Sequence, residues 1–274
     1  MKKIATIILN RNLPKITDAL YNNVKNNNLI NNDIFVLESG SDKNKLSKYT
    51  KWYADWPMAR KKGLRYHQGM NYALYKLWKE KKFEKYDAFF LLSNDTEFKS
   101  KNFLDKLSKI LFKYDKLGII SPCSKRWGEK ILLKKTKTKF FWYIHSCAYL
   151  IKKDFLISII NSQNNSFHNF LFDDSNFRGY GLESEIIAKA YCNDWASAIT
   201  SEVFFDENES HLIKKAKLIK TESYEDNFNL YVLEGQKWMK NKYGFNSKWA
   251  MQLYVKNFYD NFFNFYPEYL KFKI

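Results

Sequence analysis

The chain has 274 residues and 45% apolar side chains, enough to bury a full core, so it is a folded protein and neither a disordered nor a fibrous one. Nine glycines, four prolines and no repeating period exclude collagen-like, linker-rich and solenoid architectures. The net charge of +17 steers the protein toward anionic matter such as nucleic acid, phospholipid or phosphorylated substrates, and a solvated lysine surface accounts for it equally well. Residues 3–9 are a continuous apolar run, the pattern of a central parallel strand covered on both faces. Polar Asn10-Arg11-Asn12 follows, and Pro14 stands where a helix running to about Asn27 begins. A second strand over residues 33–37 ends in the turn-forming cluster Glu38-Ser39-Gly40-Ser41-Asp42, which completes a βαβ unit.

Met70, Ala73, Leu74, Leu77 and Trp78 then recur at helical spacing, with Lys76, Lys79 and Glu80 on the opposite side. The most apolar strand, residues 88–92, stops abruptly at Ser93-Asn94-Asp95. The pattern predicts a helix over 102–113, a strand over 117–121 closed by Pro122, a β-rich stretch over 139–151 and a helix starting near Leu182. From about Lys214 the alternation ceases, and aromatic-rich helical segments cover 226–243 and 247–263. The expected fold is α/β: a Rossmann-like, mostly parallel central sheet flanked by helices over residues 1–213, with a helical appendage over 214–274.

Cys123, Cys147 and Cys192 are widely spaced, odd in number and set among apolar residues, as buried thiols in a reducing compartment are. The apolar stretch before Asn10 is too short for a signal peptide, and no run approaches the ~18 residues of a membrane span. The expected location is the cytoplasm. The aromatic, lysine-rich C-terminal segment suits peripheral contact with the inner face of a membrane, and suits equally well packing onto the main domain or a partner subunit in an oligomer.

Ligands of open α/β sheets bind beyond the carboxyl ends of the strands. That rule sets Asn10-Arg11-Asn12, Glu38-Ser39-Gly40 and Ser93-Asn94-Asp95 along one edge. A nucleoside diphosphate needs hydrogen bonds to base and ribose and neutralisation of its pyrophosphate. Asp95 is placed to hold Mg²⁺ or Mn²⁺ beside phosphate oxygens, Glu38 to accept from a base or ribose, and Arg11 and Arg65 to meet phosphate.

At these residues the sequence resembles the inverting glycosyltransferases of GT-A fold often called family 2. Ile4-Ala-Thr-Ile-Ile-Leu-Asn-Arg-Asn12 is similar to the family's opening strand, and Val36-Leu-Glu-Ser-Gly-Ser-Asp42 to its "V-D-N-G-S-x-D" turn. Gly69-Met-Asn-Tyr-Ala-Leu74 with Phe89-Phe-Leu-Leu-Ser-Asn-Asp-Thr-Glu97 resembles its metal-binding region, and Gly118-Ile-Ile-Ser-Pro122 its "G-I-x-x-P" strand. Phe177-Arg-Gly-Tyr-Gly-Leu-Glu-Ser-Glu185 resembles its acceptor-side "G-x-G-x-E-D". The resemblance implies a nucleotide-sugar donor, a divalent metal (Mn²⁺ or Mg²⁺) on the aspartate motif, and transfer with inversion to a hydroxyl of a glycan or glycolipid. On these motifs Asn10, Arg11, Glu38, Ser39, Gly40, Arg65, Asn71, Ser93 and Asn94 are the candidate donor-binding residues.

Three positions depart from the family pattern. Ser93 replaces the first aspartate of the metal motif, which leaves Asp95 as the carried-over ligand; Glu38 replaces an aspartate; and Ser184 stands where the family has its catalytic base. The base is then Glu183 or Glu185, both in the first turn of a helix whose dipole favours a carboxylate. With Leu182, Ile186, Ile187 and Ala190 defining the buried side, Glu183 falls in the inward arc and Glu185 at its flank, which favours Glu183. Glu185 remains a competitor, because the family's counterpart of Glu183 more often contacts the acceptor. His67, His145, His168 and His211 show no zinc-site spacing, but His211 lies where many GT-A enzymes carry an additional metal-ligating histidine. Two rival readings are a catalytically inactive nucleotide- or sugar-binding module, suggested by Ser93 and Ser184, and a nucleic-acid-binding protein. The polar clusters are acidic where phosphate-backbone binders are basic, so no nucleic-acid partner is expected.

Overall fold

The computed structural model describes residues 2–126, 129–133, 137–144, 147–208 and 223–274. The first half alternates strand and helix: β1 (Lys3–Asn10), α1 (Pro14–Asn26), β2 (Asn31–Glu38), β3 (Thr50–Tyr53), α2 (Pro57–Lys62), α3 (Tyr66–Lys79) and β4 (Ala88–Ser93). Then follow β5 (Thr96–Glu97), α4 (Phe103–Lys113), β6 (Leu117–Ser124), α5 (Glu129–Leu133), β7 (Thr138–Phe140), β8 (Ala148–Lys152), α6 (Lys153–Ile159), α7 (Leu182–Cys192) and β9 (Ala196–Glu207). Two long helices, α8 (Tyr224–Tyr243) and α9 (Lys248–Phe265), end the chain with a short 3₁₀ turn.

Among the described residues the strands run in the order β3-β2-β1-β4-β8-β6-β9-β5, with β7 on β9. β3, β2, β1 and β4 are parallel neighbours. At β8 the direction reverses, because β8 is antiparallel to both β4 and β6. The parallel half matches the sequence reading, while the far half is mixed: β6 and β9 pair in parallel, and β5 and β7 lie antiparallel to β9. β6 also continues through Pro122 to Ser124, where the pattern predicts a stop. The ladder with β9 shifts register between Pro122 and Cys123, so the missing proline N–H falls at an irregularity and interrupts no regular pairing.

The runs that read as central strands do so because both of their faces are covered. Every residue from Ala88 to Leu92 is buried, and so are Ile4, Ala5, Ile7 and Ile8. α3 lays Met70, Ala73, Leu74 and Leu77 into the same core. The C-terminal helices are not separate from it, since Trp238, Met239, Met251, Val255, Tyr259, Phe262 and Phe263 are buried in the one continuous cluster. Trp249, Leu253 and Phe265 point outward. The expected boundary at 213/214 falls outside the described residues. No helix among the described residues is long and apolar enough to cross a membrane.

Candidate active site

Parallel register does what the strand-end rule predicts: Asn10 pairs with Glu38, and Leu9 with Ser93, so three polar strand ends come level. Asn10, Glu38 and Asn94 are buried there and bonded to one another. Asn10 Nδ2 donates to Glu38 Oε1 and Oε2 at 3.1 and 2.9 Å, and Asn94 Nδ2 donates to Asn10 Oδ1 at 3.3 Å. Glu38 also accepts from Ser41 Oγ (2.6 Å), Ser47 N (2.8 Å) and Thr50 Oγ1 (2.9 Å). Both carboxylate oxygens are thereby spent within the protein. Where the sequence reading has Glu38 accept from a base or ribose, its carboxylate here ties together the turn after β2, the head of β3 and β1.

Five other candidate donor residues are likewise engaged within the protein. Arg11 caps the carboxyl end of α2, donating to Ala59 O (3.0 Å), Arg60 O (3.2 Å) and Lys61 O (3.4 Å), and to Ser39 O at 2.6 Å. Helix C-termini attract cations, and here burial pulls the guanidinium below its usual value while Asp42 opposes the shift. Ser39 Oγ bonds both Leu64 N and Leu64 O at 2.6 Å. Gly40 has φ +66°, and a Cβ there would lie 1.9 Å from Ala59 O, so the turn admits glycine alone. Asn71 anchors α3 to the 171–174 segment, accepting from Leu171 N and Phe172 N and donating to Phe172 O and Asp174 Oδ1. Arg65 donates to Asn227 Oδ1 of α8 at 2.8 Å and, with Lys62 and Arg178, lies over the ring of Phe177.

Beyond β4, the hydroxyl of Ser93 donates to Asp95 Oδ1, so the residue that departs from the family's Asp-x-Asp is itself bonded to the remaining aspartate. Asp95 O accepts from Asn208 N at 2.9 Å, and Ser93 N donates to Cys147 O at 3.0 Å. Cys147 Sγ donates in turn to Glu207 Oε1 at 2.5 Å. Among the described residues no group of three His, Cys, Asp or Glu side chains gathers as a metal site. His211 lies outside the described residues. A hard divalent cation takes one or two carboxylates and completes its shell from phosphates and water, so Asp95 fits such an ion when a diphosphate shares it.

Glu183 and Glu185 are both buried in the first turn of α7, but they face different neighbours. Glu185 Oε1 accepts from Lys242 Nζ (2.8 Å) and Tyr243 OH (2.5 Å), beside Asp173, which also pairs with Lys242. Burial would raise Asp173, but Lys242, Ser175 and Trp238 hold it well below the usual carboxylate range. Glu183 Oε1 pairs with Lys248. Its charge acts on His67, Tyr149 and Tyr231. Asp95 and Cys147 act on Tyr66, whose hydroxyl burial pushes well above its ordinary value. Tyr149, also raised by burial, feels Glu183, Tyr66 and Cys147 together. Asp95 and Glu183 therefore both act on the neighbouring pair Tyr66, which is partly buried, and Tyr149, which is fully buried; Glu185 acts on neither. The helical wheel puts Glu185 at a flank; both carboxylates are in fact buried, because the C-terminal helices cover that flank.

Sequence reasoning passed over His67, Tyr66, Tyr149 and Lys248. His67 is buried, and neither ring nitrogen has a partner among the described residues. It sits so close beneath Gly179 (φ +87°) that a Cβ there would lie 2.1 Å from Nδ1. Burial drives its pKa down to about 4, while Glu183 pulls the other way. The signal available was its place one turn ahead of Met70 on the inward face of α3.

No family model matches the chain, and no curated protein matches it in sequence. Solved structures do match. A mannosyltransferase from Pyrobaculum calidifontis in complex with GDP-Man and Mn²⁺ is similar at TM-score 0.51 and 11% identity, over 78% of this chain and 58% of that one. GalNAc-T7 with UDP, GalNAc and Mn²⁺ is similar at TM-score 0.53 and 11% identity, over 76% of this chain and 44% of that one. Glucosyl-3-phosphoglycerate synthase from Mycobacterium tuberculosis, with Mn²⁺, UDP and phosphoglyceric acid, is similar at TM-score 0.52 and 12% identity, over 87% and 78%. The chain thus spans about half the length of the first and second of these. At such identity the likeness is one of fold, and the fold is of GT-A type.

Proposed function

We propose that the chain is a glycosyltransferase that moves a sugar from a nucleoside diphosphate to a hydroxyl of a glycan or glycolipid acceptor with inversion, Glu183 acting as the base. The observation that supports this reading is that Asp95 acts electrostatically on Tyr66 and Glu183 on Tyr149, with Tyr66 acting on Tyr149 in turn. One carboxylate stands just beyond β4, where a diphosphate would lie; the other lies in the first turn of α7. In the reaction the acceptor hydroxyl gives its proton to Glu183, its oxygen bonds to the anomeric carbon, and the C–O bond to the diphosphate breaks with the electron pair leaving on phosphate. A divalent metal held at Asp95 supplies charge neutralisation for that leaving group. Asn10, Glu38 and Asn94 contribute by holding the strand-end loops rigid, which is what a positioned donor requires.

A thermal-shift panel of nucleoside diphosphates with and without Mn²⁺ tests the donor side. Saturating ligand at a hundredfold over Kd stabilises by about 2.7 kcal/mol, and the expected rise of several degrees should require the metal and vanish in Asp95→Asn. Consumption of a nucleotide sugar by the wild type, with inversion read from the product's anomeric proton, tests the chemistry. The second reading, an inactive binding module, is favoured by Ser93 and Ser184. It predicts the same thermal shift with no turnover.

A further inference from the structure

Helix α9 enters this site through its first residue. Ser247 caps the helix, its hydroxyl accepting from Ala250 N at 3.1 Å, and so fixes Lys248 at the head. From there Nζ reaches Glu183 Oε1, passing over the rings of Tyr180 at 4.8 Å and Tyr143 at 5.3 Å. The lysine side chain is 17% exposed and the glutamate 7%. Local preferences oppose a lysine here: burial penalises its charge, and the positive end of a helix dipole repels it. A residue held against its local preferences marks a position kept for another reason. The contact with the lysine is made by Oε1 of Glu183, which leaves Oε2 as the oxygen that the lysine does not engage.

We propose that Lys248 is the positioning residue of the transfer base, pinning Oε1 of Glu183 and keeping the buried carboxylate anionic so that Oε2 receives the acceptor's proton. This rests on the reading of Glu183 as base. The groups that feel Glu183 from the surrounding elements are His67 of α3, Tyr149 of β8 and Tyr231 of α8, while Tyr143 and Tyr180, from the loops before β8 and α7, lie against Lys248. Burial keeps the His67 imidazole neutral and the Tyr149 and Tyr231 hydroxyls protonated. Lys248 is the cation of this described set. Burial lowers its own pKa, but Glu183 and Tyr143 more than compensate and the net shift is upward. Without that cation a buried carboxylate loses its ion-pair partner, and burial of an uncompensated charge favours the neutral form, which cannot act as base.

The test compares Lys248→Met, Lys248→Gln and Lys248→Arg with the wild type by two readouts: the pH titration of the Glu183 carboxyl by ¹³C NMR, assigned from its loss in Glu183→Gln, and the pH dependence of transfer at saturating donor. The Met and Gln variants should move the Glu183 titration and the acidic limb of kcat/KM upward by about one pH unit or more. Turnover on that limb should then fall by about tenfold or more and recover as pH rises, with the Arg variant restoring both. Gln keeps a polar contact, so it separates loss of charge from loss of fold if the Met variant does not fold. Identical Glu183 titrations in Gln and wild type, or a loss of rate equal at all pH values, overturn the proposal. A shifted titration in a protein whose wild type consumes no nucleotide sugar leaves the Lys248 assignment standing and removes the transferase reading instead.

Discussion

Two buried polar clusters lie on the ligand side of this sheet, and they differ in how completely their hydrogen bonds are satisfied. Around Glu38 every acceptor is taken: Asn10, Ser41, Ser47 and Thr50 converge on it. Around Glu183 the accounting stays open. Both ring nitrogens of His67 and the Ser184 hydroxyl are buried with no partner among the described residues. A buried unsatisfied group costs on the order of 1–3 kcal/mol, so such groups persist where water, an ion, strain or a catalytic role accounts for them. The difference teaches that residue type and strand-end position do not separate architecture from chemistry; saturation does. The closed cluster braces the strand-end loops, and the open one is where the proposed base stands.

The sharpest way to break that comparison is Glu183→Gln. The amide keeps an oxygen for Lys248 and loses the base, so transfer should fall by about 10³-fold while nucleoside diphosphate affinity holds. Glu185→Gln, on the Asp173–Lys242 side, should cost activity far less. Equal losses in the two variants would mean that the carboxylates are not divided in function. Next in size is Glu38→Ala, which strands four groups of donors at once. It should destabilise the protein by about 4 kcal/mol in urea unfolding, a value within the range for breaking buried polar networks. A loss below about 1 kcal/mol would show that the cluster relaxes or hydrates freely, and its assignment as scaffold would fall.

How much of this could be read from sequence follows from how local each feature is. The strands show because apolar runs such as residues 88–92 stop at polar triplets, and the parallel register then brings Asn10 beside Glu38 without further information. The saturation of Glu38 does not show, because two of its donors, Ser47 and Thr50, lie in a basic stretch with no pattern of its own. The antiparallel insertion of β8 is equally hidden, since a buried strand reads alike in either direction. His67 and Lys248 were illegible for the same reason: their meaning depends on Glu183, distant in the chain from both. Arg11 was misleading in another way. An arginine at a strand end suits phosphate, and only the nearby end of α2 reveals that its donors are already taken.

The smallest effect concerns His67 and has a definite sign. Its folded pKa of about 4 lies below the ordinary 6.5, so between these values the unfolded chain binds a proton that the folded one refuses. Stability from this group is therefore complete above the ordinary value and lost as pH falls toward the folded one. The loss is at most roughly 3.5 kcal/mol, since each tenfold change in proton affinity is worth about 1.4 kcal/mol. Other groups add acid sensitivity, because Asp33, Asp87 and Asp260 are held low by lysines and lose their contribution as they protonate. Comparison with His67→Gln removes that background, since both proteins share it. The stability of the wild type relative to the variant, read by urea unfolding, should shrink steadily from about pH 7 to about pH 4.5. If the gap stays constant over that window, the imidazole finds a partner in the folded state, and the cluster around Glu183 is as closed as the one around Glu38.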